Sequence, residues 1–142
     1  MVEQPPAPEG ATPARRRRVL VAEDDTALRR LIELTLGVDA TLEVTAVGDG
    51  AAAVQAVTRS RPDVLICDIM MPRLSGLAVC RRLRAAGVEL PIILLSAQQA
   101  DEAVDAVITL GNIEFMNKPY NAATLRARLT ALLAETEIRD AV

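Results

Sequence analysis

Val64-Leu65-Ile66-Cys67-Asp68 is an unbroken apolar run that stops on a carboxylate. Three other runs are built the same way. Val19-Leu20-Val21-Ala22 stops at Glu23-Asp24-Asp25, Ile92-Ile93-Leu94-Leu95 at Ser96, and Ile113-Glu114-Phe115-Met116-Asn117 at Lys118. If the runs are parallel strands of one sheet, their carboxyl ends lie side by side, where open α/β sheets bind ligands. The acids, the hydroxyl and the amine then line one pocket. Lys118 stands out further, because it is the sole lysine among 16 basic residues, the others being arginine. A compact ammonium on a flexible stem suits a phosphoryl oxygen or a carboxylate, where an arginine would present a broad planar fork.

Between the runs lie segments of helical period. Thr26 to Leu36 puts Leu28, Leu31, Ile32 and Leu36 on one face, with Gly37 as the predicted C-terminal cap. Asp25 is predicted to cap the start of this helix. Leu42, Val44 and Ala46 alternate as in an edge strand, and Gly48-Asp49-Gly50 turns into an alanine-rich helix that Pro62 ends. Further helices are predicted to start near Ser75-Gly76, to run from Asp101 to Leu110 with a stop at Gly111, and to begin after Asn121 with Leu125, Leu129, Leu132 and Leu133 buried. Five strands alternating with five helices imply a parallel sheet covered on both faces. Right-handed crossovers with a switch between the first and third strands predict the order 2-1-3-4-5, its switch point flanked by Glu23-Asp24 and Asp68.

Composition limits the function. A chain of 142 residues that is 51% hydrophobic has room for one core, and a net charge of −3 provides no field for nucleic acid or an anionic membrane. No run approaches a membrane span and the first residues carry no apolar leader, so a cytoplasmic location is expected. Cys67 and Cys80 fall in buried patterns, as thiols rather than as a disulfide or metal site. Histidine is absent, which excludes Ser-His-Asp and Cys-His nucleophiles and histidine-bound zinc. Residues 1–16 are rich in Pro, Ala and Gly and read as a disordered tail, 17–137 as the domain and 138–142 as a short C-terminal tail. The arginines at 15 to 18 read as a solvated strand flank.

Carboxylates meeting at strand ends repel. At about 4 Å and an effective dielectric near 20, one pair costs about 4 kcal/mol. Something positive is required there, and since every inward donor is an oxygen, a hard cation of the magnesium type is expected. Lys118 neutralises part of the remainder.

Glu23-Asp24 after the first strand, Asp68-Ile69-Met70-Met71-Pro72 followed by Gly76, Ser96-Ala97, and Phe115-Met116-Asn117-Lys118-Pro119 together resemble the receiver domain of bacterial response regulators. The resemblance spans roughly Arg17 to Glu135. It implies a flavodoxin-like doubly wound (βα)5 fold. It also implies that Asp68 is the phosphoacceptor, attacking the phosphorus of a phosphohistidine, and that Glu23, Asp24, Asp68 and the Met70 backbone carbonyl hold Mg2+, with Mn2+ as an alternative. Ser96 and Lys118 would each take a phosphoryl oxygen. Phe115 would turn inward when Ser96 moves, as the output step. The partners implied are a sensor histidine kinase or histidine phosphotransfer protein and a downstream effector protein, with no direct contact to nucleic acid. The chain would be a phosphoacceptor with slow self-dephosphorylation rather than an enzyme, its lifetime set by Met70 and Gln98, two residues beyond Asp68 and Ser96.

One feature departs from the family. Members that dimerise through the fourth helix, fifth strand and fifth helix usually carry a basic residue on the fourth helix and paired aspartates before the aromatic. Here 98–110 holds neither Lys nor Arg, and Gly111-Asn112-Ile113-Glu114 offers one acid. A phosphorylation-dependent dimer through other contacts, including Ile113, stays open. Among rival readings, an aspartyl phosphatase needs a second acid where Met70 stands, and a flavin or nucleotide carrier needs Gly, Ser or Thr amides where Glu23-Asp24-Asp25 stands. A non-phosphorylated scaffold, and the receiver of a larger regulator with DNA-binding or enzymatic output, complete the alternatives.

Overall fold

The computed structural model describes residues 15–118 and 121–141, with side chains through 135. The N-terminal tail up to residue 14, together with Pro119, Tyr120 and Val142, lies outside the described residues. The elements are β1 (Arg17–Ala22), α1 (Thr26–Gly37), β2 (Leu42–Val47), α2 (Gly50–Ser60), β3 (Val64–Asp68), α3 (Gly76–Ala85), β4 (Ile92–Ser96), α4 (Glu102–Ile108), β5 (Ile113–Asn117) and α5 (Ala122–Ala141). All strand pairs are parallel and the sheet order is β2-β1-β3-β4-β5, as the alternation of runs predicts.

The continuous apolar runs are explained by helices on both faces. Val19, Val21, Val64, Ile66, Ile93 and Leu95 point toward α1 and α5, packing with Ile32, Leu36, Leu125, Leu129, Leu132 and Leu133. Their neighbours Leu20, Ala22, Leu65, Cys67, Ile92 and Leu94 point the other way, onto Ala53, Val57, Val79, Cys80, Leu83, Val104 and Val107 of α2, α3 and α4. β2 is an edge strand and alternates, with Leu42 buried and Glu43 and Thr45 exposed. Both cysteines are free and buried.

Side-chain oxygens start the helices where the sequence predicts. Asp25 accepts from the Leu28 amide at 3.0 Å, Asp49 from Ala52 at 2.7 Å and Ser75 from Ala78 at 3.2 Å. Asn121 accepts from Ala123 at 2.8 Å. Such caps are each worth about 1 kcal/mol.

The helix ends depart from expectation. Gly37 is the last helical residue of α1, and Val38 is the C-cap with ordinary right-handed dihedrals, so no left-handed turn is used there. Leu31, predicted on the buried face, is 56% exposed, because Leu28, Ile32 and Leu36 already cover the sheet. α4 stops at Ile108, short of Leu110. Arg61 closes α2 at φ 46°, a left-handed position, directly before Pro62, whose ring keeps the preceding residue out of the helical region. α5 continues to Ala141, beyond the boundary predicted at 137.

The arginine run is also more than a solvated flank. Arg17 and Arg18 lie in β1, which is flanked by β2 and β3, and Asp63 accepts from the Arg15 guanidinium and the Arg18 amide, each at 2.7 Å. Arg18 also donates to the Ser60 carbonyl. These contacts tie the start of β1 to the turn before β3. At the same end of the sheet, Arg84 donates to the carbonyls of Val88, Leu90, Gly111 and Asn112, joining the loops that lead into β4 and β5.

Candidate functional site

The sheet carries its chemistry at the carboxyl end. Ala22 pairs with Cys67, so Glu23 and Asp68 leave β1 and β3 at the same level, and Ser96 ends β4 one residue past the partner of Asp68. Ser96 pairs with Asn117, which delivers Lys118 to the same edge. The Lys118 amide donates to the Ser96 carbonyl at 2.6 Å, tying the last two strands together just beyond the ladder. Glu23, Asp68 and Ser96 are the buried polar side chains among the described residues.

Lys118 sits between two acids, its Nζ 3.2 Å from Asp68 Oδ2 and 3.4 Å from Glu23 Oε2. Glu23, Asp24 and Asp68 each bring one carboxylate oxygen to within 4.8 Å of the others. Three carboxylates against one ammonium leave a formal deficit of two positive charges, and Glu23 shows the strain. Burial, then the hydrogen bond and charge of Asp68, raise its carboxyl to about 7, against the opposing pull of Lys118. An all-oxygen set whose buried acids are offset only in part by one ammonium fits a hard divalent cation.

The surrounding loops supply donors. The Met70 amide reaches Asp68 Oδ1 at 3.3 Å, while the Met70 side chain is 62% exposed. Ser96 Oγ accepts from the Gln98 amide at 3.0 Å, and the Gln98 carbonyl accepts from Asn117 Nδ2 at 2.9 Å. Phe115 is partly buried on the α2, α3 and α4 side of the sheet, level with Leu94. Of the residues singled out in the sequence, Glu23, Asp24, Asp68 and Lys118 converge directly. Ser96 joins them through the strand edge and Met70 through its amide, whereas Phe115 stands back from the cluster by the length of β5 from its middle to Lys118.

Sequence reasoning did not find Arg29. This α1 guanidinium donates to the backbone carbonyl of Glu23 at 2.9 Å, inside the acidic loop. No spacing rule announces a contact of this kind, which depends on how α1 leaves β1.

A doubly wound sheet with this arrangement at its switch point defines a class, and comparison with known proteins assigns it. Residues 19–130 match the response regulator receiver domain, and the chain belongs to that family, the receiver domains of two-component systems. It is 40% identical over 124 residues to response regulator MprA of Mycobacterium leprae (strain TN), an alignment covering 87% of this chain and 54% of the relative. The response regulator MprA of Mycobacterium tuberculosis (strain H37Rv) is 39% identical over 124 residues, with the same coverage. The chain thus spans about half the length of the curated relatives it matches.

Among solved structures, a signal receiver domain from Vibrio parahaemolyticus superimposes with a TM-score of 0.82 at 28% identity, over 88% of this chain and 95% of that one. The chemotaxis protein CheY4 of Vibrio cholerae gives 0.74 at 28% identity, over 82% and 98%. Receiver domains of response regulators are in general not enzymes. No helix among the described residues is long and apolar enough to cross a membrane.

Proposed function

We propose that this receiver is a phosphorylation-activated switch whose phosphoacceptor is Asp68. An Asp68 carboxylate oxygen attacks the phosphorus of a phosphohistidine on a sensor histidine kinase or histidine phosphotransfer protein. The P–O bond forms, the P–N bond breaks, and the departing imidazole takes up a proton. Glu23, Asp24 and Asp68, with the Met70 carbonyl, would hold Mg2+ or Mn2+, which supplies positive charge to the transferring phosphoryl oxygens.

Lys118 then exchanges its carboxylate partners for a phosphoryl oxygen. Ser96 gives up its contact with the Gln98 amide and donates its hydroxyl to another. Phe115 repacks toward the space Ser96 vacates, altering the surface seen by a downstream effector protein. Water slowly hydrolyses the acyl phosphate, and Met70 and Gln98 govern its approach. The protein acts in the cytoplasm, through protein partners rather than by binding nucleic acid or inserting into a membrane.

The observation that carries this reading is the position of Lys118, within 3.2 Å of Asp68 and 3.4 Å of Glu23 at the switch point. Intact mass after incubation with acetyl phosphate tests it. One phosphoryl group is expected on the wild type in magnesium, with none in chelator and none on Asp68→Asn. The absence of any adduct, together with an unchanged spectrum in beryllofluoride, would leave the scaffold reading in its place. A second reading, a receiver that is the input module of a longer regulator, is favoured by the half-length match to the MprA proteins. Detection of the native polypeptide in cells at about twice the length of this chain would support it.

A further inference from the structure

We infer that Arg29 is a positioning residue for the cation site and that Gly48 exists to leave room for it. The inference rests on the metal-binding reading of Glu23, Asp24 and Asp68. Among the described residues no hydrogen bond or ion pair holds the Asp24 side chain, which is exposed, so its direction is set by the peptide from which it springs.

That peptide is gripped from both sides of Glu23. The Glu23 amide donates to the Val47 carbonyl at the end of β2, at 3.1 Å. The Glu23 carbonyl, which belongs to the Glu23-Asp24 peptide plane, accepts from the half-buried Arg29 guanidinium at 2.9 Å. A hydrogen bond from a charged donor is among the stronger ones, and a carbonyl held this way cannot rotate without losing it. Arg29 is itself anchored, its amide donating to the Asp25 carbonyl at 2.8 Å in the first turn of α1.

Gly48 closes the arrangement from the β2 side. A Cβ at position 48 would lie 2.9 Å from the Arg29 Nη1 atom, with no backbone among its near contacts. Any larger residue therefore pushes away the tip of a flexible side chain and leaves the fold alone. A guanidinium moved in this way no longer holds the Glu23-Asp24 peptide, and two of the three carboxylates lose their fixed mutual orientation. Outer partners of metal ligands typically contribute 10–100-fold in metal affinity, and an effect near the lower limit suits a contact made through the backbone.

Calorimetric titration of the full chain with magnesium chloride, paired with urea unfolding in chelator, tests this. Arg29→Ala and Gly48→Ala are each expected to bind magnesium about tenfold more weakly than the wild type. Their unfolding in chelator should remain one cooperative transition, lowered by a similar modest amount in both, since each loses the same hydrogen bond. The double variant should be no weaker than Arg29→Ala, since both changes remove one interaction. Wild-type affinity in Arg29→Ala, or additive losses in the double variant, overturns the positioning role. A wild type that takes up no magnesium overturns the metal reading itself, and the two failures are thereby told apart. If Arg29→Ala does not fold, Gly48→Ala alone decides the matter.

Discussion

A Cβ placed on Gly76 would fall 2.4 Å from the carbonyl oxygen of Asp68. The first residue of α3 thus lies against the backbone of the proposed phosphoacceptor, and the Gly76 amide closes the intervening loop by donating to the Ile69 carbonyl at 2.8 Å. Gly50 has the same relation to the loop from the other side, where an added Cβ would lie 2.2 Å from the Leu74 carbonyl oxygen. The segment 69–75 is held between two helix starts that only glycine lets approach so closely. Because backbone is what the new methyl would meet, Gly76→Ala and Gly50→Ala are each expected to cost about 1–3 kcal/mol. Urea unfolding measures this. Wild-type stability in both would mean the loop shifts freely.

The acidic cluster opposes the stability of the metal-free fold. Glu23 is buried beside Asp68, and Lys118 offsets only part of the repulsion. Glu23→Gln keeps the shape and removes one charge. In chelator at pH 8 it is therefore expected to be more stable than the wild type by about 1–2 kcal/mol, a fraction of what a close like-charge pair can cost. In magnesium the order should reverse, because the wild type gains stability from the bound ion and the variant gains little. Thermal unfolding with and without chelator reads both arms. A variant that is less stable than the wild type in chelator contradicts this electrostatic account.

The two thiols should be silent in the native protein. Burial pushes the Cys80 thiol up to about 11, against the pull of Arg84 and Arg81, and burial also raises Cys67. With a raised value, the thiolate fraction at pH 8 falls to about one part in a thousand. A chromogenic disulfide reagent at pH 8 should titrate neither thiol in the native state and both in urea. Release of two equivalents from the native protein on mixing would show that the α3 side of the core opens.

Met70 and Gln98 are proposed to control hydrolysis of the acyl phosphate. The Met70 side chain is exposed while its amide touches Asp68, and the Gln98 amide touches Ser96, so both residues adjoin the proposed acyl phosphate. Truncating both to alanine is expected to speed loss of the phosphoryl group by about fivefold, a barrier change of roughly 1 kcal/mol. Single-turnover decay after removal of phosphodonor measures it, and an unchanged rate would separate these residues from the hydrolytic step.

The strand ends were legible because each apolar run stops on the side chain the site employs, and a strand end fixes where its last residue goes. Asp25 was legible as a cap, and Ser75 and Asn121 as helix starts, for a similarly local reason, since a side-chain oxygen bonds an amide two or three residues on. Leu31 was misplaced because residues about 100° apart around α1 leave the edge of the buried stripe undefined until the sheet is in place. Gly37, expected as the C-terminal cap, is instead the last helical residue, because no local signal shows that Val38 ends the helix in ordinary dihedrals. Arg29 and Gly48 meet across the tops of two strands, a contact that only the folded chain defines.

Borohydride reduction of the phosphorylated chain, followed by peptide mapping, tests the central claim most directly. The reagent converts an acyl phosphate to an alcohol and leaves free carboxylates intact, so it marks the acceptor itself. The account predicts homoserine at position 68 and at no other acid, dependent on magnesium. Homoserine at Asp24 or Asp25, or 5-hydroxynorvaline at Glu23, in the wild type, with Asp68 unchanged, would contradict it.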